Sequence, residues 1–169
     1  MNQEKILCLD LSTRNTGYAT YLNGIYQDSG SLEQKETDGT LRAYHILHRI
    51  EEEIERFHPT LLVVEKLPPM FHSGQEVLIY LHGGLKFLAI QKGIELQATL
   101  LPMQWRKILG FNQSKTENRT KFIKQQSIAC ASKIVGKIIT DDNEADAICL
   151  GTAFLLEQEQ KEIEKLSYK

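Results

Sequence analysis

No stretch of the 169-residue sequence comes near the ~20 consecutive apolar residues that cross a bilayer, so no membrane partner is expected. The opening Met1-Asn2-Gln3-Glu4-Lys5 runs straight into a strand-like segment, so no signal peptide is expected either. Cysteine is scarce. Cys8, Cys130 and Cys149 are odd in number and sit among apolar neighbours. They read as small core hydrophobes of a reducing cytosol, not as a disulfide or zinc framework. There is no internal repeat, no low-complexity tract and no linker, so residues 1–169 read as one domain. A chain of this length buries roughly 70% of its unfolded surface. Its 41% apolar and 25% charged residues are ordinary for a globular protein. Large excess charge is also missing. A net charge of −2 excludes a uniformly basic, nonspecific nucleic-acid binder.

The charge that is present is unevenly placed. From Pro102 to Lys137 there are eight Lys and Arg against one acid, Glu117; from Ile138 to the end there are eight acids and three Lys. Two solvated helix faces of opposite sign account for this. So does a site that holds a phosphate backbone beside a divalent metal.

Alternation and periodicity outline the elements. Lys5–Leu11 reads as a strand buried on both sides, with Ile6, Cys8 and Asp10 on one face. Thr16–Leu22 and Ile25–Leu32 follow as strands around an Asn23-Gly24 hairpin turn. A helix opens at Thr40 and ends at His58-Pro59; Leu61–Glu65 is the fourth strand. Gln75–Lys92 reads as a helix, Ile94–Leu101 as the fifth strand, and Pro102 starts a short helix. Glu117–Ala131 and a segment from Asp141 to about Leu166 are helical. The fold class is α/β: a five-stranded mixed sheet, with an antiparallel meander of strands 1–3 and then parallel strands, flanked by helices.

Three carboxylates stand where apolar residues belong. Asp10 lies on the Ile6-Cys8 face at the end of a buried strand, where an unpaired charge is costly. Glu65 follows Leu61-Leu62-Val63-Val64 without a break, at a strand's carboxyl end, where α/β proteins build sites. Asp146 heads the stripe Cys149, Leu150 and Ala153 that should pack on the sheet. Capping explains Asp141, Asp142 and Glu144, but not the inward Asp146. Three inward carboxylates repel unless cations separate them. Such clusters are the signature of two-metal phosphodiester hydrolysis.

With these residues in place, the sequence resembles a family. Leu9-Asp10-Leu11-Ser12-Thr13-Arg14-Asn15-Thr16-Gly17-Tyr18 looks like the first motif of RuvC-type Holliday junction resolvases, Val63-Val64-Glu65 like the second, and Asn143-Glu144-Ala145-Asp146-Ala147 like the last. The likeness spans nearly the whole chain and is best to short, phage-type members. It implies an RNase H-like fold and a cytosolic, phage-encoded or bacterial endonuclease. Two Mg²⁺ or Mn²⁺ ions would sit at each site, and a homodimer would nick two opposed strands of a four-way DNA junction. Asp10, Glu65 and Asp146 match the ligands. The family's Asp or His three residues before the last Asp is here Asn143, which offers a carbonyl oxygen but no charge; Asp142 stands one residue earlier.

The resemblance extends to DNA contacts. Arg106 or Lys107, after Pro102, matches a cation near the active site, placed to stabilise charge on a phosphate. Arg14 lies in the first turn, and Lys115, Arg119, Lys121 and Lys124 flank a loop and a helix start. Phe71, in the loop after Glu65, is a candidate wedge for an unpaired junction centre. Trp105 reads as core. Gly83-Gly84 within a helix is costly unless a partner helix packs closely, and the family's dimer forms there. Flaps, forks or structured RNA are alternative substrates, and a non-catalytic junction-binding module is a further reading. An ATP-binding domain of sugar-kinase type has a similar first turn but needs two such domains, more than 169 residues allow.

Overall fold

Asn23 and Gly24 turn the chain with φ of 50° and 78°, the left-handed pair that matches the twist of a tight hairpin. That hairpin joins β2 (Asn15–Leu22) to β3 (Ile25–Glu33), and β2 pairs antiparallel with β1 (Lys5–Asp10) on its other side. The coordinates are a computed structural model that describes residues 3–67, 75–112 and 118–167. After β3 come α1 (Gly39–Phe57), β4 (Leu61–Glu65), α2 (Glu76–Lys92), β5 (Glu95–Leu100), α3 (Pro102–Ile108), α4 (Arg119–Val135) and α5 (Asp142–Ser167). The sheet order is β3-β2-β1-β4-β5, with β1, β4 and β5 parallel. This is the expected α/β class and mixed sheet.

Alternation along β1 and β4 divides the core. Leu7, Leu9, Leu62 and Val64 face α1 and α2, while Ile6, Cys8, Leu61 and Val63 face α3, α4 and α5. Both strands are buried on two sides, as their unbroken apolar runs require. No helix is long and apolar enough to cross a membrane among the described residues.

Caps move the helix ends by a few residues. The Asp38 carboxylate accepts from the Leu41 amide at 2.8 Å, so α1 starts at Gly39 and not Thr40. α4 runs a turn past Ala131, because Ile134 and Val135 still pack on the core, and Gly136 ends it at φ 70°. Asp141 is the cap of α5: its Oδ1 accepts from the Asn143 and Glu144 amides at 2.8 and 3.0 Å.

α5 lies unusually near the sheet. A Cβ on Gly17 would run into the Asn143 carbonyl, and one on Gly151 would meet Cys8 Sγ at 2.7 Å. The Tyr21 hydroxyl donates to the Ile148 carbonyl at 2.7 Å, holding the helix against β2.

Candidate active site

Parallel pairing sets Asp10 and Glu65 side by side. Leu9 of β1 stands opposite Val64 of β4, and both strands end one residue later. On the far side of β4 the register slips, with Val64 opposite Ala98 but Glu65 opposite Leu100. This bulge lies next to the turn into α3. Pro102 occupies the first turn of α3, and Gln104 reaches back to accept from the Leu101 amide at 2.8 Å. The next residue, Trp105, is fully buried, as core, and its indole N–H donates to the Glu65 carboxylate.

α5 brings the third carboxylate from above. Asp141 is consumed by the cap; it also accepts from Asn15 at 3.1 Å and Ser31 at 3.3 Å, tying the helix start to β2 and β3. Burial works against its charge, but the Glu144 amide, Asn15 and Asn143 outweigh that and hold its pKa low. Glu144 accepts from the Ser29 hydroxyl at 2.6 Å. One turn on, Asp146 faces the sheet end, as its stripe requires. Its Oδ1 is buried without a hydrogen-bond partner, as is the Ser127 hydroxyl of α4.

The electrostatics join these groups. Burial first, then Glu65 and Asp146, hold the Asp10 carboxyl well above the usual range, with Asp142 adding to the push. Glu65 is raised by burial and by Asp146, against the pull of the Trp105 hydrogen bond. Asp146 is raised by burial, against the nearby Ser127 hydroxyl, which stops short of a hydrogen bond, and against Arg106 and Lys124. Desolvated carboxylates in mutual repulsion are a frequent mark of a functional site.

Two cations partly balance them. Arg106 stacks on the Trp105 ring, 4.8 Å from its centroid, and reaches to 3.8 Å from Asp146 Oδ2. Lys124 Nζ lies 2.5 Å from Asp142 Oδ2. Among the described residues no three His, Cys, Asp or Glu side chains form a ready metal-holding group. The chemistry of the donors nevertheless fits a hard divalent cation: all-oxygen ligands, raised proton affinity, and a buried carboxylate oxygen with no partner.

Of the residues singled out in the sequence, Asp10, Glu65, Asp146 and Asp142 share this electrostatic neighbourhood. Asn143 carries no charge, and its backbone amide donates to the Asp141 carboxylate at 2.8 Å. Arg106 is at the cluster, while Lys107, Arg119 and Lys121 are exposed on α3 and the start of α4. Arg14 is exposed in the β1–β2 turn, four residues after Asp10. Phe71 and Lys115 lie outside the described residues. Gly83 and Gly84 part ways: a Cβ on Gly84 would meet Leu47 of α1 at 2.8 Å, whereas nothing lies within 4 Å of one on Gly83. Gly84 thus answers to packing within the chain. Sequence reasoning missed the Trp105–Glu65 bond, although a buried indole N–H always needs an acceptor. It also missed the Lys124–Asp142 pair and Ser127.

No protein-family model and no curated protein sequence matches the chain. Solved structures do. RuvC of Thermus thermophilus in complex with a Holliday junction substrate superposes with a TM-score of 0.67 at 16% identity, over 92% of this chain and 96% of that one. The fowlpox virus resolvase, in complex with Holliday junction DNA, gives 0.58 at 18% identity over 91% and 98%. The yeast mitochondrial Holliday junction resolvase Ydc2 gives 0.52 at 14% over 93% and 81%. Across nearly its whole length, then, this chain has the RNase H-like fold of the RuvC-type resolvases.

Proposed function

We propose that the protein is a metal-dependent, structure-selective DNA endonuclease of the RuvC resolvase type, cleaving four-way junctions by two-metal hydrolysis. One observation carries this: Asp10 and Glu65 end adjacent parallel strands, both feel the charge of Asp146, and all three are desolvated and raised. The Holliday junction complexes of proteins with the same fold supply the substrate class. Bound Mg²⁺ or Mn²⁺ would activate the attacking water and offset charge on the leaving oxygen. The chain's residues do the rest. Asp10, Glu65 and Asp146 would hold the ions, and Trp105, whose indole N–H donates to the Glu65 carboxylate, fixes the orientation of Glu65, as outer-shell donors do at metal sites. Arg106 is placed to exchange Asp146 for a phosphate oxygen. The test is cleavage of synthetic four-way, flap, fork and duplex DNA, and of structured RNA, with Mg²⁺. Paired symmetric nicks in the junction are expected. Flap or RNA products alone would point to another RNase H-fold nuclease, and binding without cleavage to a junction-binding module.

Asp142 is the better fourth ligand, because it already acts on Asp10 and Asp146, while Asn143 serves the cap. Asp142→Ala should therefore raise the Mg²⁺ concentration for half-maximal cleavage. Asn143→Ala should leave it unchanged and lower stability by less than about 1 kcal/mol. A Mg²⁺ titration of both variants decides, and the reverse order would assign Asn143.

Two symmetric nicks need two active sites, hence a homodimer. α2 is the proposed interface. Tyr80, Phe87 and Ile90, exposed at 59%, 75% and 68%, fall with Gly83 on one stripe, opposite the buried Leu81, Leu85, Leu88 and Ala89. Sedimentation should show a dimer for the wild type and a monomer for Phe87→Lys/Ile90→Lys. Gly84→Leu should instead lower thermal stability, since Leu47 leaves no room. A dimer that survives the double Lys change lies elsewhere.

A further inference from the structure

The cations after β5 do more than flank the carboxylates. Together with the start of α4 they enclose a hollow of about 180 Å³. That is below the ~300–1,000 Å³ of pockets for drug-sized ligands, and suits a single flat ring system. Met103, Phe111 and Ile123 give it apolar walls. Phe111 is fixed edge-on against Trp105, with ring centroids 5.6 Å apart at 78°. Arg106, Lys107 and Arg119 also line it, and among the described residues no acid does, in a chain with more acids than bases. Lys107 and Arg119 have no ion-pair partner among the described residues, and Arg106 Nε is buried without an acceptor.

An apolar slot lined by three cations, two of them without an acidic partner among the described residues, is complementary to a base with its phosphate. We infer that this hollow receives one unstacked nucleotide of the bound DNA strand, beside the carboxylate cluster. The inference rests on the nuclease reading above and adds a base-selective subsite to it. Arg106 borders both the hollow and Asp146, so a nucleotide seated there brings its phosphate toward the carboxylates. Asn112 supplies the base readout. Gln126 pins its backbone from both sides, accepting from its amide at 2.8 Å and donating to its carbonyl at 3.0 Å, which leaves the exposed Asn112 side chain at the rim. A side-chain amide makes two bonds to the edge of adenine, so adenine is the favoured occupant. Branched DNA is a suitable donor, because unstacking a nucleotide is cheapest where pairing is already broken.

The test places 2-aminopurine, a fluorescent adenine analogue, at each position flanking the cut in a four-way junction. Binding of the wild-type protein in Ca²⁺ should raise the fluorescence at one position. Ile123→Trp, which fills the hollow, should abolish the rise at protein concentrations that saturate the junction. Asn112→Ala, a surface change that does not threaten folding, should weaken the preference for adenine at that position by about tenfold, the worth of one bidentate base contact. A bound junction with no rise at any position, or an unchanged base preference in Asn112→Ala, overturns the subsite and leaves the nuclease reading intact. Failure of the wild type to bind any junction would instead remove both.

Discussion

Asp10→Asn is expected to abolish junction cleavage and, in metal-free buffer, to make the protein more stable. The loss of activity should exceed about a hundredfold, beyond what outer-shell changes at metal sites cost. Junction affinity should change little, because the substitution removes no cation that could hold a phosphate. The stability gain follows from the cluster. Burial, Glu65 and Asp146 hold the folded-state pKa of Asp10 well above its ordinary value. The folded chain therefore binds a proton more tightly than the unfolded chain. Its stability is fullest below the ordinary carboxylate pKa, and it falls as pH rises from about 4 toward the raised value. Asparagine removes that loss. At pH 7 the variant should melt ~2–8 °C higher, the size of a gain of about 1–2 kcal/mol in a domain of this length. Mg²⁺ should reverse the order, raising the wild-type melting temperature by mass action and the variant's far less. Thermal melts of both proteins from pH 4 to 8, with EDTA or Mg²⁺, check this. A variant less stable than wild type in EDTA would make Asp10 a structural carboxylate.

Gly17→Ala is expected to cost both the fold's stability and the site. Gly17 pairs with Asp10 across β1 and β2, and its α-carbon lies directly beneath the Asn143 carbonyl at the start of α5. A methyl group has no space there, and the obstacle is backbone, which cannot rotate away. Either β2 bends or the first turn of α5 lifts, and that turn carries Asp142 with Asp146 just behind it. A loss of about 3 kcal/mol, the upper end for overpacking, would lower the melting temperature by roughly 6–12 °C. Cleavage should fall even at temperatures where the variant is folded, because the lifted helix withdraws a carboxylate from Asp10 and Glu65. Melting curves and cleavage rates at 25 °C test the two parts separately. Wild-type behaviour in both would mean that α5 does not ride on Gly17.

Gly17 also shows how far local pattern reaches. The Thr16-Gly17-Tyr18 run belongs to the first motif and was legible as such, but nothing local says why the middle residue must be glycine. The reason is a helix more than a hundred residues later. The same holds for Gly83 and Gly84. Their cost to a helix is local, yet adjacent helical residues point about 100° apart. One therefore packs on Leu47, and the other stays on the exposed apolar stripe. Trp105 was legible as core from its type; its acceptor, Glu65, is forty residues away and lies on another element.

What the sequence by itself determined is whatever repeats with a fixed local period. Alternation placed Asp10 with Ile6 and Cys8, the 3.6-residue period placed Asp146 on the inward stripe of α5, and Asn23-Gly24 set the hairpin. These follow from backbone geometry that every residue shares. What only the tertiary structure decided is which of several equivalent groups is spent on something else. Asp141 caps α5, Asn143 bonds Asp141, Glu144 takes Ser29 and Asp142 takes Lys124. Asp146 alone among them keeps a buried oxygen without a partner. The sequence presents these as one run of polar residues. They are sorted by which strand, helix or cation each meets across the fold, and such long-range partners leave no local period to read.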